Sequence, residues 1–154
     1  MSPCLQPLLI QIQKQDHQTL ILWALDCAMV PIKILQKKYP KEERPKIALQ
    51  KSFEWAIGLI KMPEAKKAIL DCHRCAKEIK DEVDIALFHA IGQACATVHV
   101  ETHAIGLPIY ELTAIVRSNP DHYTKLIEEK IKFYIEKLEY WENHKQTNNI
   151  TWAK

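Results

Sequence analysis

Residues 89 to 106, HAIGQACATVHVETHAIG, place three histidines and a cysteine in a stretch with no lysine or arginine and one acid, Glu101. The tetrapeptide HAIG occurs twice in it, fourteen residues apart. Imidazole can ligate a metal, move a proton near neutral pH, or tie two groups together by donating from one nitrogen and accepting at the other. On one continuous helix, at roughly 100° per residue, His89, His99 and His103 would fall within an arc of about 80°. His99 and His103, four apart, have a spacing that chelates zinc from one helix. A zinc site needs a third ligand, which Cys72, His73 and Cys75 of "CHRC" could supply from another helix. No second CxxC or HxxxH pair follows "CHRC" at zinc-finger distance, so the metal signal is weak.

Acid–base catalysis asks for a titrating group held beside a partner and open to substrate. His99 with Glu101 or Glu111 would form such a pair. Nothing marks a nucleophile, and no glycine-rich loop is present to cradle phosphate. The favoured reading is therefore structural. His99 and His103 are expected to be polar struts of a helical core near His73, since buried polar groups are normally satisfied by neighbours. The cysteines, spaced helically among alanines, read as small core hydrophobes. No metal or other cofactor is expected, and an enzyme is the minority reading.

These side chains must be carried by helices. Asp16 is a plausible N-cap for a helix with Leu20, Trp23, Ala24, Cys27 and Ala28 on one face. Pro31 should end or kink it, with a short continuation to about Tyr39. "YPKEERP" reads as a loop. Pro45 then opens a helix through Ile60, with Ala48, Phe53, Trp55, Ala56 and Ile60 partly buried. Pro63 opens the next, "PEAKKAILDCHRCAKEIK", acidic early and basic late as the helix dipole prefers. Asp81 starts a third, which enters the histidine stretch. "TVHVET" is β-branched and poor in helix propensity, which predicts a break near Val100. Thr102 would cap a further helix to about Arg117, distorted at Pro108. Asn119 and Pro120 read as cap and first residue of the last helix. There, Tyr123, Ile127, Ile131, Tyr134, Leu138 and Trp141 form one apolar stripe. Lys125–Glu129, Glu128–Lys132 and Lys132–Glu136 pairs fill its solvated face. The tail after Asn143 is polar and expected to fray.

The sum is an all-α single-domain bundle of six or seven helices, neighbours mostly antiparallel, with its core at about residues 16–143 of one domain, 1–154. Composition agrees: 154 residues suffice for a core without staples, and three glycines argue against many tight turns. The N-terminal apolar run is short and lacks a basic lead, so neither a secretory signal nor a membrane span is expected. Five cysteines, an odd number, with no export signal predict reduced thiols in the cytoplasm. A formal charge of +2 is too mild to imply a nucleic-acid partner. Between Lys33 and Lys51, however, seven basic residues face two acidic ones, which predicts a local basic face.

Trp23 and Trp55 read as core anchors, with a binding hot spot as the alternative. Arg44, before Pro45, reads as a loop arginine paired with a carboxylate. In this order "LWALDCA" (22–28), "EERPKIAL" (42–49), "EWAIG" (54–58), "AILDCHRCAKE" (68–78) and "HAIGQACATVHVETHAIGLPIYEL" (89–112) carry a resemblance. The chain resembles the immunity-5-like family of small bacterial helical proteins over about residues 20–115, and the last block is the most specific. The resemblance implies an all-α cytoplasmic protein of a polymorphic toxin system, neutralising a cognate toxin by binding it. Its matching positions here are Trp23, Arg44, Pro45, Trp55, His73, Gly92, His99, Thr102 and His103. Pro108 departs from the pattern, where a small helix former is expected. Inhibitors of basic nucleases tend to be strongly acidic; this chain is not, so a highly basic nuclease is not the expected toxin.

Overall fold

The computed structural model describes residues 3–144 and Trp152. Within them lie α1 (Gln6–Gln13), α2 (His17–Cys27), α3 (Met29–Lys38), α4 (Arg44–Ala56), α5 (Met62–Cys75), α6 (Glu82–Ala96), α7 (Gly106–Ser118) and α8 (Thr124–His144). Short 3₁₀ turns at Pro3–Leu5 and Glu101–Ile105 precede α1 and α7. The chain is 79% helical with no strand among the described residues, and α2 and α3 run on as one rod, giving seven helical bodies. Of the tail expected to fray, His144 closes α8, and the rest lies outside the described residues, Trp152 aside.

Side-chain caps start two helices as the sequence predicts. Asp16 accepts from the Thr19 amide at 2.8 Å, and Asp81 accepts from the amides of Val83 and Asp84 at 2.9 and 3.1 Å. The rod breaks at Ala28, three residues before Pro31, where the proline's missing N–H disturbs the ladder. The rod has the length and mean hydropathy (1.5) of a membrane span, but 67% of that apolar window is buried inside the fold.

Four boundaries differ from expectation, the first being α5, which stops at Cys75 and does not run on through Lys80. The helix α4 stops at Ala56, not Ile60, because Gly58 takes φ 81° and the Leu59 amide reaches back to the Glu54 carbonyl at 2.8 Å. That is the six-to-one bond of a glycine-terminated helix. Thr102 is exposed and caps nothing; Val100 is extended, and Pro108 sits in the first turn of α7, where its missing N–H costs no bond and distorts nothing. Asn119 closes α7, its side chain donating to the Ile115 carbonyl, and α8 begins only at Thr124.

At the centre lies α6, packed against α2, α3, α4, α5 and α7. Ala86, Ala90, Gly92 and Ala94 keep it slim enough for close neighbours. Trp23 is wholly buried and donates to the Tyr134 carbonyl at 3.0 Å, locking α8 to α2. In α8 the buried stripe is Ile131, Tyr134 and Leu138; Ile127 and Trp141 pack at its ends, and Tyr123 stays exposed before the helix. Leu5, Leu8 and Ile12 extend the core to the N-terminal side of Asp16. Of the surface pairs expected on α8, Lys132–Glu136 forms, at 3.9 Å. Cys27, Cys72, Cys75 and Cys95 are buried, and no disulfide joins described residues.

Candidate functional site: the clasped histidines

The "CHRC" tetrapeptide is divided by helical geometry. Cys72 and Cys75 point into the core, where their thiols lie 3.6 Å from the Phe88 carbonyl and 3.7 Å from the Asp71 carbonyl. Burial pushes both thiols up, Cys75 to about 12, so they remain protonated and inert. His73 turns the other way, and its Nδ1 meets the Nδ1 of His89 on α6 at 2.8 Å. Such a contact holds one proton, donated by one ring and accepted by the other. Burial first, then the neighbouring His89 and His103, lower His73 to about 4. Burial also lowers His89. The pair is neutral in neutral solution.

Both HAIG copies work as clasps. In the first, His89 binds the His73 ring while Gly92, one turn on, clears room for it: a Cβ on Gly92 would stand 2.3 Å from His73 Cε1 and Nε2. In the second, His103 Nδ1 meets Gln93 Oε1 at 3.0 Å, and a Cβ on Gly106 would stand 2.6 Å from that same oxygen. Histidine holds a polar side chain from the neighbouring element; the glycine three residues later lets it lie flat. The repeat is therefore a repeated packing device, although its halves lie on different helical segments and not on one continuous helix.

His99 corrects the strut expectation. It is exposed, at the turn after α6, with its ring stacked on Trp55 at 5.6 Å between centroids. The struts are His73, His89 and His103, with His17 as a fourth, bonded to the Thr97 carbonyl at 2.6 Å. Trp55 is half-buried and forms a wall, not a core anchor. Together Trp55, His73, His99 and His103 line one cavity of about 290 Å³, joined by Gln93 and by Lys66 at its edge. Gly92 lies under the His73 ring.

The acid–base pairing of His99 with Glu111 does not form. Glu111 is buried on α7, where it accepts from the Tyr134 hydroxyl at 2.8 Å and pairs with Lys130 at 3.2 Å. Burial raises its pKa. No bond joins Glu101 to His99 among the described residues. Nor does any group of three His, Cys, Asp or Glu side chains stand together there as a metal set.

The remaining family positions lie elsewhere. Trp23 is in the core and Pro45 in the first turn of α4. Arg44 donates Nε to Glu42 at 2.8 Å and Nη1 to Glu78 at 2.9 Å, and holds Glu42 down at about 2. This is the carboxylate pairing expected, with two partners where one was foreseen. Lys38 pairs with Asp81 and Asp84, and Lys51 with Glu64, so the basic face of 33–51 is partly neutralised. Gln93 and Lys66 were not singled out from the sequence. Gln93's place four residues after His89 was the available signal for it; for Lys66 there was none.

Neither the comparison with curated proteins nor that with solved structures returned a match. The family described as "Imm-5 like putative immunity protein" matches over residues 11–137, a span that takes in every residue of the clasps and the cavity. By that match the chain belongs to the Imm-5 like immunity protein family.

Proposed function

We propose that this protein is the immunity partner of a bacterial polymorphic toxin, acting in the cytoplasm by binding the toxin directly. The observation that carries the reading is the family match over residues 11–137. The physical demands of the role are modest: a stable scaffold with one surface complementary to its target. A helical scaffold with buried, protonated thiols and a fully partnered Glu111 suits recognition better than covalent chemistry. The half-buried Trp55 beside exposed His99, Met62 and Leu70 has the aromatic–aliphatic character of binding hot spots.

The test begins with the neighbouring open reading frame: where it encodes a large secreted protein, its C-terminal domain is co-expressed with this chain. Restored growth together with a co-purifying 1:1 complex supports the reading. Restored growth without a complex, or a complex without restored growth, refutes it. The competing reading, a helical metal protein or small enzyme built on His73, His99 and His103, has their shared cavity in its favour. Stoichiometric zinc in the freshly purified protein would support that reading instead.

A further inference from the structure

The cavity beneath Trp55 has an uneven chemical balance. His73, His99, His103 and Lys66 reach its wall, and no aspartate or glutamate does. Among the described residues, the His99 side chain has its ring contact with Trp55, and Lys66 has no ion pair. The rest of the wall is Gln93, Trp55 and the aliphatic surface of Met62, Ile69 and Leu70. At about 290 Å³ the space is at the small end of ligand pockets, which are mostly apolar with a few convergent polar groups.

We propose that this cavity binds a small organic anion: one carboxylate on a flat apolar body. A carboxylate supplies the negative charge that the wall lacks, since an ammonium such as Lys66 and imidazole N–H donors make their strongest bonds to ionised oxygens. The flat body lies along the indole face and the aliphatic side chains. The stack on Trp55 holds the His99 ring at the cavity wall. Lys66 at the edge disfavours a metal cation in the same space. Gln93 is fixed in orientation by His103 and the space above Gly106, so one polar corner of the cavity is already organised before a ligand arrives.

The experiment uses benzoate and its neutral isostere benzamide on the full chain, followed by the histidine Cε1–H resonances near pH 6.5. Benzoate is expected to shift the His99 and His103 signals saturably, with benzamide binding at least roughly tenfold more weakly, as loss of a charge-assisted bond implies. Lys66→Gln and His99→Ala, both at exposed positions, should each weaken benzoate by a similar factor, while Lys125→Gln on α8 leaves it unchanged. Equal binding of benzoate and benzamide overturns the proposal. So does the absence of any shift up to the solubility limit, or a benzoate response that survives both substitutions.

Discussion

Gly92→Ala is the sharpest perturbation of the first clasp. Inside a helix, alanine in place of glycine should stabilise by about 1 kcal/mol. Here the new methyl stands 2.3 Å from two atoms of the His73 ring. Carbon contacts settle near roughly 3.5–4 Å, so the ring must retreat by about 1 Å or more. That movement breaks its 2.8 Å bond to His89. Overpacking costs about 1–3 kcal/mol, and the lost bond about 1 kcal/mol more. Set against the propensity gain, the net loss is about 1–3 kcal/mol. In a chain of this length each kcal/mol lowers the melting point by roughly 2–4 °C. The informative measurement is the cycle with His73→Ala, by urea unfolding followed with far-ultraviolet circular dichroism at pH 7.5. With the ring removed the methyl has room, and Gly92→Ala should change sign and stabilise the His73→Ala protein. A Gly92→Ala protein as stable as wild type would refute the clasp. So would the same penalty in both backgrounds, since it would place the clash somewhere other than His73.

Three further outcomes follow from the same geometry. His73 is lowered to about 4 in the folded chain, from about 6.5 unfolded. The unfolded state therefore binds the extra proton first, and stability present above pH 6.5 should fall, by no more than about 2 kcal/mol after discounting partial exposure, as pH drops to about 4. His73→Phe should flatten that stretch of the urea-midpoint profile. Tyr134→Phe removes the hydroxyl that Glu111 accepts from in the core, and should cost about 1–3 kcal/mol in the same unfolding assay. His99→Ala, at an exposed turn, should change stability by less than about 0.5 kcal/mol; a large drop in its unfolding midpoint would return His99 to the core.

Helix starts were legible because their cause is local. Asp16 and Asp81 cap with their own side chains, and a reader of the sequence sees both the cap and the apolar run behind it. The break near Val100 was legible for the same reason. Stops and turns were less so: Gly58 ends α4 through a backbone bond that no side chain announces, and Asn119 serves the helix before it, not the one after. The site was half legible. Spacing brought His73, His99 and His103 under suspicion, and they do share a cavity wall. What spacing cannot reveal is depth. His99 follows Ala96 at the end of α6, and the turn there rotates it outward to Trp55. The two glycines were visible as a repeat, but their meaning lies in a ring and an amide that stand nineteen and thirteen residues away.

The bond from Trp23 to the Tyr134 carbonyl spans 111 residues of chain. During synthesis, then, the indole of α2 leaves the ribosome long before its acceptor exists. At roughly 5–20 residues per second, it waits on the order of 5–20 s, in an apolar rod whose covering helix has not been made. Every nascent copy passes through that interval with the α8-facing side of this apolar rod uncovered. A premature stop in α8 leaves the chain there permanently, exposed to chaperones and proteases in place of its own last helix.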